Sequence, residues 1–348
     1  MAKRYLKYLS LLLTFIIVSA GGVLLYMQNW LEHPVVKNES VVFVVPAGAS
    51  FSLVTRELAE QGLVEQPFLF KVYARLSGKD TGLKAGEYLI PAGTTLIGLV
   101  DHLSSGDVIQ HEITLVEGRT LEENLSFMKG RRLKASVEAL EDAELKALLT
   151  VKAPTAEGLF FSDTYYYQAG DTDLSILKRA HEQLNEVLKE EWEKRQKNLP
   201  YQTPYEALIM ASILERETAV AEERPEIAGV FVRRLQKGMR LQSDPTVIYG
   251  MGDRYQGKIG RRDLRERTPY NTYRIRGLPP TPIALVGREA IHAALNPKPG
   301  SSLYFVARGD GTHVFSDTLA QHNRAVRKYQ LNRREDYRST PLAADDRD

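Results

Sequence analysis

The segment TPYEALIMASILERETAV, residues 203–220, is the most informative stretch of the chain because it predicts a buried helix that ends in two carboxylates. Thr203 can cap this helix, with Pro204 at the first helical position and Glu206 at the third, a favourable N-terminal sequence. Before the two carboxylates only Glu206 and Ser212 interrupt the apolar residues, so the helix should be buried on nearly all sides. Its polar residues therefore need a structural or chemical reason.

Glu215 and Glu217 are the two carboxylates in question. At 100° per residue each shares a stripe with apolar residues, so periodicity does not choose between them. Burial would raise the pKa of either carboxyl toward the range that suits a general acid. The alternative is a structural salt bridge, for which the nearby partners are Arg216, Arg224, Arg233 and Arg234.

The residues that follow predict a second helix over about 225–237, ended by Gly238. An extended segment is predicted next, with a polar cluster in it. The cluster contains Gln242, Ser243, Asp244 and Thr246.

The composition excludes several classes of function. With 46 Lys and Arg against 44 Asp and Glu, the net charge of +2 gives no basic excess for nucleic acid. The absence of cysteine excludes disulfides, thiolate metal sites and cysteine nucleophiles. The sequence has no GxSxG, HExxH, P-loop or GxGxxG motif, and it indicates no metal and no organic cofactor. A chain of 348 residues suggests two or more compact units.

The N-terminus carries a hydrophobic run that is long enough to span a bilayer. Lys3, Arg4 and Lys7 precede an uncharged segment over residues 8–31, and positive charge on the leading flank favours a cytoplasmic N-terminus. A cleaved signal peptide is the alternative, since Val18-Ser19-Ala20 is similar to a cleavage site. Apolar residues continue past that point, which favours the anchor. Either interpretation places the body outside the cytoplasm.

A repeat follows the hydrophobic run. VPAGASFSLVTREL at 45–58 matches IPAGTTLIGLVDHL at 90–103 without a gap, and each copy predicts a strand, a glycine turn and a helix capped by Ser50 or Thr95. LVEGRTLEENL at 115–125 is a weaker echo that we do not count as a full repeat. The pair resembles the LysM module, a βααβ unit that binds cell-wall glycans. The alternative is a small sheet covered by helices, without a binding role.

The middle of the chain, about 120–198, predicts helices with solvated charged faces. Between them lies EGLFFSDTYYYQAGD, residues 157–171, which predicts a loop or short strand. Tyr165, Tyr166 and Tyr167 could stack on sugar rings or fill a core.

Residues 211–250, ASILERETAVAEERPEIAGVFVRRLQKGMRLQSDPTVIYG, together with 270–323, resemble the MltG/YceG family of endolytic murein transglycosylases. Arg233 stands where the family commonly has Asn. The resemblance implies that Glu215 is the catalytic acid and base and that Glu217 is an auxiliary residue. The candidate substrate contacts, for which turn and backbone capping are the structural alternative, are Gln242, Asp244, Thr246, Tyr249, Asn271 and Tyr273.

The resemblance implies cleavage of the β-1,4 bond between N-acetylmuramic acid and N-acetylglucosamine in nascent glycan strands, which leaves 1,6-anhydromuramoyl ends and limits strand length. The implied partners are peptidoglycan, the cytoplasmic membrane and penicillin-binding glycan polymerases. One alternative is a lysozyme-like hydrolase that uses Glu215 with Asp244 as its two carboxylates. The other is a catalytically silent, membrane-tethered scaffold that binds peptidoglycan.

We therefore expect an α+β protein with a small LysM-like βααβ domain and a mixed α+β catalytic domain behind a single N-terminal transmembrane helix, with its body periplasmic. The predicted parts are a cytoplasmic tail (1–7), a transmembrane helix (8–29), a linker (30–40), a LysM-like domain (41–108), a middle region (109–200), a catalytic domain (201–332) and a disordered tail (333–348).

Overall fold

The computed structural model describes residues 2–36, 38–137 and 140–331. The chain divides into two compact units, of which the first comprises residues up to 111 together with 167–170 and the second comprises the rest. The domain boundaries predicted at 108 and 200 remain predictions. The tail predicted to be disordered, 333–348, lies outside the described residues.

The chain begins with helix α1, Ala2–Leu31. Its segment Tyr5–Leu31 is long and apolar enough to cross a membrane, by length and composition. Its aliphatic side chains are exposed to the surroundings. Trp30 and Leu31, at the C-terminal end of α1, pack against the core of the first unit.

The first unit contains two strands and three further helices. They are β1 (Val41–Val45), α2 (Phe51–Glu60), α3 (Pro67–Leu76), β2 (Gly86–Ile90) and α4 (Leu96–Ser105). β1 and β2 pair antiparallel, with Val41 opposite Ile90 and Val45 opposite Gly86. The element order from β1 to β2 is βααβ, as expected for a LysM-like unit, although the LysM assignment itself stays a prediction.

The repeated strand, turn and helix are confirmed in the first two copies. Ser50 accepts a hydrogen bond from the backbone N–H of Leu53 at 3.3 Å, and Thr95 accepts one from Gly98 at 3.2 Å. Both hydroxyls therefore satisfy an N–H group that has no partner inside its helix. The apolar side chains at the matched positions form the core of the unit, with Val54, Leu58, Leu96, Leu99 and Leu103 all buried.

The weak echo at 115–125 has the same order of local elements as the two full copies. Strand β3 (His111–Thr114) leads into a glycine turn and then into helix α5 (Leu121–Met128). Thr120 and Glu123 form a full capping box at the start of α5. The sequence match is weak because capping and a positive-φ glycine determine the local fold, while the residues between them are free to differ.

The middle segment contributes helix α6 (Asp142–Leu149), strand β4 (Thr164–Tyr167) and the long helix α7 (Asp173–Glu193). β4 pairs with β3 in a two-stranded sheet. Of the three consecutive tyrosines, Tyr165 and Tyr167 are buried in their units, and Tyr166 is 60% exposed. The alternation of a strand therefore separates two core residues from one that is free to meet a ligand.

Helix α8 (Pro204–Glu217) lies at the centre of the second unit, followed by α9 (Arg224–Gln236) and α10 (Asp244–Met251). The predicted cap is confirmed, since the Thr203 hydroxyl accepts from the N–H of Glu206 at 3.2 Å. All residues from Ala207 to Leu214 are buried. The prediction of an extended segment through residue 246 was wrong beyond Ser243, because Pro245 at the start of α10 favours a helical turn.

The last elements are helix α11 (Arg288–Leu295), strands β5 (Tyr304–Ala307) and β6 (His313–Ser316), and helix α12 (Leu319–Val326). α8 packs against α7, α9, α10 and α11. β5 and β6 form an antiparallel hairpin, as the RGDG sequence at 308–311 predicts. The class is therefore mixed α+β with an apolar N-terminal helix.

Candidate active site

Glu215 lies in the last turn of α8 and has a side chain that is only 4% exposed. Its carboxyl group accepts two hydrogen bonds, from Arg224 Nη2 to Oε1 at 3.3 Å and from the backbone N–H of Gly287 to Oε2 at 3.1 Å. Arg224 also donates to Glu289 Oε2 at 2.7 Å. The salt bridge weighed as the alternative therefore exists, and it coexists with a carboxyl group that is withdrawn from water.

The environment raises the pKa of Glu215 to about 7, as predicted. Burial is the largest cause, because desolvation disfavours the charged form. Arg224 and the Gly287 N–H oppose the rise, while the carboxylates of Glu117 and Glu289 add to it. Near neutral pH a carboxyl group with this pKa is partly protonated, so it can donate a proton and its carboxylate can accept one.

Ser212 links α8 to the segment that precedes Gly287. Its hydroxyl donates to the carbonyl of Ile209 at 2.7 Å within α8 and accepts from the N–H of Ile283 at 3.0 Å. Residues 283–286 are completely buried, and they lead directly to Gly287 at the N-cap of α11. The polar residue in the apolar helix therefore aligns the segment that delivers the N–H group to the carboxyl.

A turn formed by Glu117 and Gly118 completes the surroundings of Glu215. A Cβ added at Gly118 would lie 3.6 Å from the Glu215 carbonyl oxygen and 3.9 Å from its Cγ, which is van der Waals contact. Glu117 places its carboxylate against Gly287, where an added Cβ would lie 1.8 Å from Oε1. Glu215 from α8 and Glu117 from the turn thus both lie beside Gly287, the N-cap residue of α11.

Glu217 lies on the other side of α8, because residues two apart on a helix do not share a face. Ser243 Oγ donates to its Oε1. Burial raises the pKa of Glu217 to about 7, nearby Asp244 adds to the rise, and Ser243 and Arg234 oppose it. Glu215 and Glu217 therefore belong to two separate polar clusters, although both were predicted from one motif.

The remaining predicted residues fall into two groups. Thr246 and Asn271 are buried, with their polar atoms bonded to protein: Thr246 Oγ1 donates to the Ser243 carbonyl at 2.7 Å, and Asn271 Nδ2 donates to the carbonyls of Asp263 and Glu266 at 2.9 and 2.6 Å. Their contacts fit the structural alternative.

The second group is accessible. Gln242 is exposed and has a positive φ of 55°, and Asp244, also exposed, accepts from the hydroxyl of Tyr273 at 2.6 Å. Tyr249 is half-buried and packs edge to face on Tyr270 at 4.9 Å between ring centroids. Tyr273 is also half-buried, and the role of these four residues in substrate binding stays a prediction.

Glu157 is a further buried carboxyl group that the sequence did not single out. It is 8% exposed, and it accepts from the N–H groups of Leu121 at 3.0 Å and Gly158 at 3.1 Å. Burial raises the pKa of Glu157 to about 7. It lines a largely apolar cavity of about 760 Å³ with Tyr249 and side chains of α5 and α6, and Glu215 is not among the lining residues.

Sequence reasoning missed Glu117, Gly287 and Glu289, and named Arg224 only as one of four arginines. Glu117 left a signal, since it replaces the alanine of the two earlier VPAG and IPAG turns. Gly287 left none beyond its place before a helix. In the described part of the chain, no group of three or more His, Asp or Glu side chains is arranged to hold a metal ion.

The comparisons with known proteins agree on one family. The model of the YceG-like family matches residues 43–328. An endolytic murein transglycosylase of Bacillus subtilis is 32% identical over 340 residues, which cover 90% of this chain and 92% of that protein. One from Streptococcus pneumoniae strain D39 is 26% identical, over 92% of this chain and 64% of that longer protein.

Among solved structures, a YceG-like protein from Listeria monocytogenes has a TM-score of 0.53 and 28% identity, covering 82% of this chain and 98% of that one. Its crystal structure spans the same mixed α+β architecture. The family match extends over most of the described residues, from the first strand to the last helices. The protein therefore belongs to the YceG-like family.

Proposed function

We propose that the protein is a membrane-anchored endolytic lytic transglycosylase that cleaves the β-1,4 bond between N-acetylmuramic acid and N-acetylglucosamine. The observation that carries the proposal is the desolvated Glu215 carboxyl group, held by Arg224 and by the Gly287 N–H. The curated relatives are named endolytic murein transglycosylases, which supplies the substrate class.

Glu215 performs both proton transfers in this proposal. The protonated carboxyl gives its proton to the glycosidic oxygen as the bond from that oxygen to C1 breaks, and N-acetylglucosamine leaves with a free 4-hydroxyl. The resulting carboxylate takes the proton of the muramoyl 6-hydroxyl while that oxygen bonds to C1. The 1,6-anhydro ring closes, Glu215 is protonated again, and no water is consumed.

The surroundings of Glu215 suit this cycle. Arg224 and the Gly287 N–H stabilise the carboxylate that forms midway, and burial with two neighbouring carboxylates returns it to the protonated form. A pKa of about 7 balances the two directions of transfer near neutral pH. One group can then act as acid and base in turn.

A hydrolase that pairs Glu215 with Asp244 finds less support in the contacts. Asp244 accepts a hydrogen bond from Tyr273 and raises the pKa of Glu217. The carboxylates that raise the pKa of Glu215 are those of Glu117 and Glu289. A silent scaffold has no need for a desolvated carboxyl group held by an arginine and a backbone N–H. The hydrolase predicts reducing ends and the scaffold predicts no cleavage, whereas a lyase leaves 1,6-anhydromuramoyl ends.

The location of the proposed activity follows from α1. Tyr5–Leu31 is the anchor, with the positively charged N-terminus in the cytoplasm and the body periplasmic. The βααβ portion of the first unit serves as a LysM-like module on the glycan. An anchored enzyme would act on nascent strands beside penicillin-binding glycan polymerases and so limit strand length.

The test is mass spectrometry of purified peptidoglycan after incubation with the full-length protein in detergent. We expect internal fragments with 1,6-anhydromuramoyl ends. Glu215→Gln should reduce their formation by about 100-fold or more, because general acid and base catalysis contributes at least that much. Glu186→Gln, an exposed change on α7, is the charge-matched control.

Each other outcome has a distinct meaning. Reducing ends in place of anhydro ends would establish hydrolysis. Retention of glycan without cleavage would establish the scaffold. Full activity of Glu215→Gln would remove this residue from the mechanism, whatever the product.

A further inference from the structure

The turn of the third strand-turn-helix copy differs from the first two turns at two positions. The turns read Pro-Ala-Gly at 46–48, Pro-Ala-Gly at 91–93 and Val-Glu-Gly at 116–118. Their glycines all have positive φ, at 74°, 82° and 71°. The turn glycine is therefore left-handed in all three copies, and only the third turn carries an ionisable side chain, Glu117.

The third turn also differs in what lies beside its glycine. A Cβ added at Gly48 or Gly93 would meet no described atom within 4 Å, whereas one at Gly118 would contact Glu215. The first two turns lie at the surface of their unit, and the N–H of Gly93 in the second donates to the carbonyl of Val36 at 2.7 Å. The third presents its carboxylate beside the proposed catalytic group.

Hydrogen bonds connect this turn to α8 and to the buried segment before α11. The N–H of Gly118 donates to the carbonyl of Leu285 at 3.0 Å, and the N–H of Leu285 donates to the carbonyl of Arg119 at 2.8 Å. Arg216, next to Glu215 on α8, donates from Nη1 to the carbonyl of Gly118 at 3.0 Å. The turn is thus tied both to α8 and to the buried segment that ends at Gly287.

The carboxylate of Glu117 rests directly on Gly287. An added Cβ at Gly287 would lie 1.8 Å from Oε1 and 2.7 Å from Cδ of Glu117. The same Gly287 donates its N–H to Glu215 Oε2 at 3.1 Å. Gly287 therefore lies between the exposed carboxylate of Glu117 and the buried carboxyl group of Glu215.

We propose that Glu117 is a positioning residue for Glu215. The negative charge that Glu117 places at Gly287 keeps the proton on the Glu215 carboxyl between turnovers. This inference rests on the proposed transglycosylase function. Glu117 acts through the charge it presents and through its contact with Gly287, and it transfers no proton itself.

The direction of the effect follows from the charges that face Glu215. They are Glu117 from the turn, Glu289 from α11 and Arg224 from α9, while Arg216 of α8 donates to the carbonyl of Gly118. A like charge disfavours ionisation, so Glu117 raises the pKa of Glu215 and Arg224 lowers it. Removing the charge of Glu117 leaves Arg224 less opposed, and Glu215 loses its proton at a lower pH.

The experiment is the pH profile of glycan cleavage by Glu117→Gln, from pH 5 to pH 9, with the full-length protein in detergent. The alkaline limb of kcat/KM should move to lower pH, with a loss of about threefold or more at pH 8 and none at pH 5.5, where Glu215 is protonated in both proteins. KM should stay unchanged. Glu112→Gln, an exposed change on β3, is the charge-matched control.

A second pair of variants tests the contact itself. Gly287 has φ −93° and ψ 174°, which alanine adopts without strain, and the three atoms nearest to the added methyl group all belong to Glu117, so we expect Gly287→Ala to displace the Glu117 carboxylate. It should move the limb in the same direction as Glu117→Gln. In a Glu117→Ala background, which leaves room for the methyl group, Gly287→Ala should add nothing, a non-additivity expected of residues in contact.

The outcomes separate this inference from the proposed function. No cleavage by the unmodified protein would refute the function. Normal cleavage with an unshifted limb in Glu117→Gln would refute only the role of Glu117. A raised KM at constant kcat would also refute it, because that result describes a substrate contact. Additive effects of Gly287→Ala and Glu117→Ala would show that the two residues act independently.

Discussion

Glu217→Gln should stabilise the protein at alkaline pH and leave it nearly unchanged at acidic pH. The Glu217 carboxyl accepts from Ser243 Oγ and is withdrawn from water at the end of α8. Glutamine keeps an oxygen that can accept this hydrogen bond and has almost the same shape. The substitution therefore removes the ionisation of the side chain and little else.

The magnitude follows from the shifted pKa of Glu217, which rises from 4.5 to about 7 because burial disfavours the carboxylate. The folded protein then holds this proton between pH 4.5 and 7, while the unfolded chain releases it. Stability consequently falls as pH rises through this window and is constant above it. The loss is at most about 3 kcal/mol, and smaller in proportion to the water that reaches this half-buried residue.

Urea unfolding of the full-length protein in detergent, at pH 5 and pH 8.5, measures the effect. Trp192 on α7 is half-buried and reports on the second unit, provided that Trp30 is replaced by Phe in all variants. The free energy of unfolding of Glu217→Gln relative to the parent should rise by about 1 to 3 kcal/mol between the two pH values. Glu186→Gln should show no such change.

Two results would refute the reasoning. A difference that is the same at both pH values would mean that Glu217 has an ordinary pKa in the folded state. A variant that loses stability at pH 8.5 would mean that the carboxylate is ionised and stabilised by Arg234. Only the second result would assign Glu217 a charge-pairing role, and the first would mean that burial does not change its ionisation.

Three further changes test Glu215 and the buried segment 282–286 that leads to Gly287. Arg224→Gln removes the opposing cation, so the alkaline limb of the cleavage profile should move to higher pH, opposite to the shift for Glu117→Gln. Ser212→Ala leaves the N–H of Ile283 buried without an acceptor and should cost about 1 to 3 kcal/mol in urea unfolding. Gly158→Ala should cost more than about 1 kcal/mol in the same assay, from its φ of +73° alone.

Each of these has an outcome that would contradict it. A downward shift of the limb for Arg224→Gln would show that Arg224 does not pair with the ionised carboxyl. Unchanged stability of Ser212→Ala would mean that water satisfies the freed N–H. For Gly158→Ala the control is Gly257→Ala, which has φ +83° and open space around it, whereas a Cβ at Gly158 would lie 2.3 Å from Cβ of Pro282. Gly158→Ala should therefore lose more stability than Gly257→Ala, and equal losses would show that the contact with Pro282 adds nothing to the cost of the positive φ.

Local signals predicted much of the fold. The hydroxyls of Ser50, Thr95 and Thr203 cap their helices as the sequence indicates, because a cap involves residues only three positions apart. The buried helix α8 and the turn at 308–311 follow for the same reason. The error at Asp244 also has a local origin, since a proline after an N-cap position starts a helix and was interpreted as part of an extended segment.

The sequence by itself determined that a buried helix ends in two carboxylates with raised pKa values, because hydrophobic periodicity reports burial wherever it occurs along a chain. Only the tertiary structure decided what each carboxylate meets. Gly287 lies 72 positions beyond Glu215, and Glu117 belongs to the turn between β3 and α5, far earlier in the chain. Periodicity ends with each helix, so the pairing of Glu215 with an N–H group, an arginine and a second carboxylate depends on how distant segments pack together.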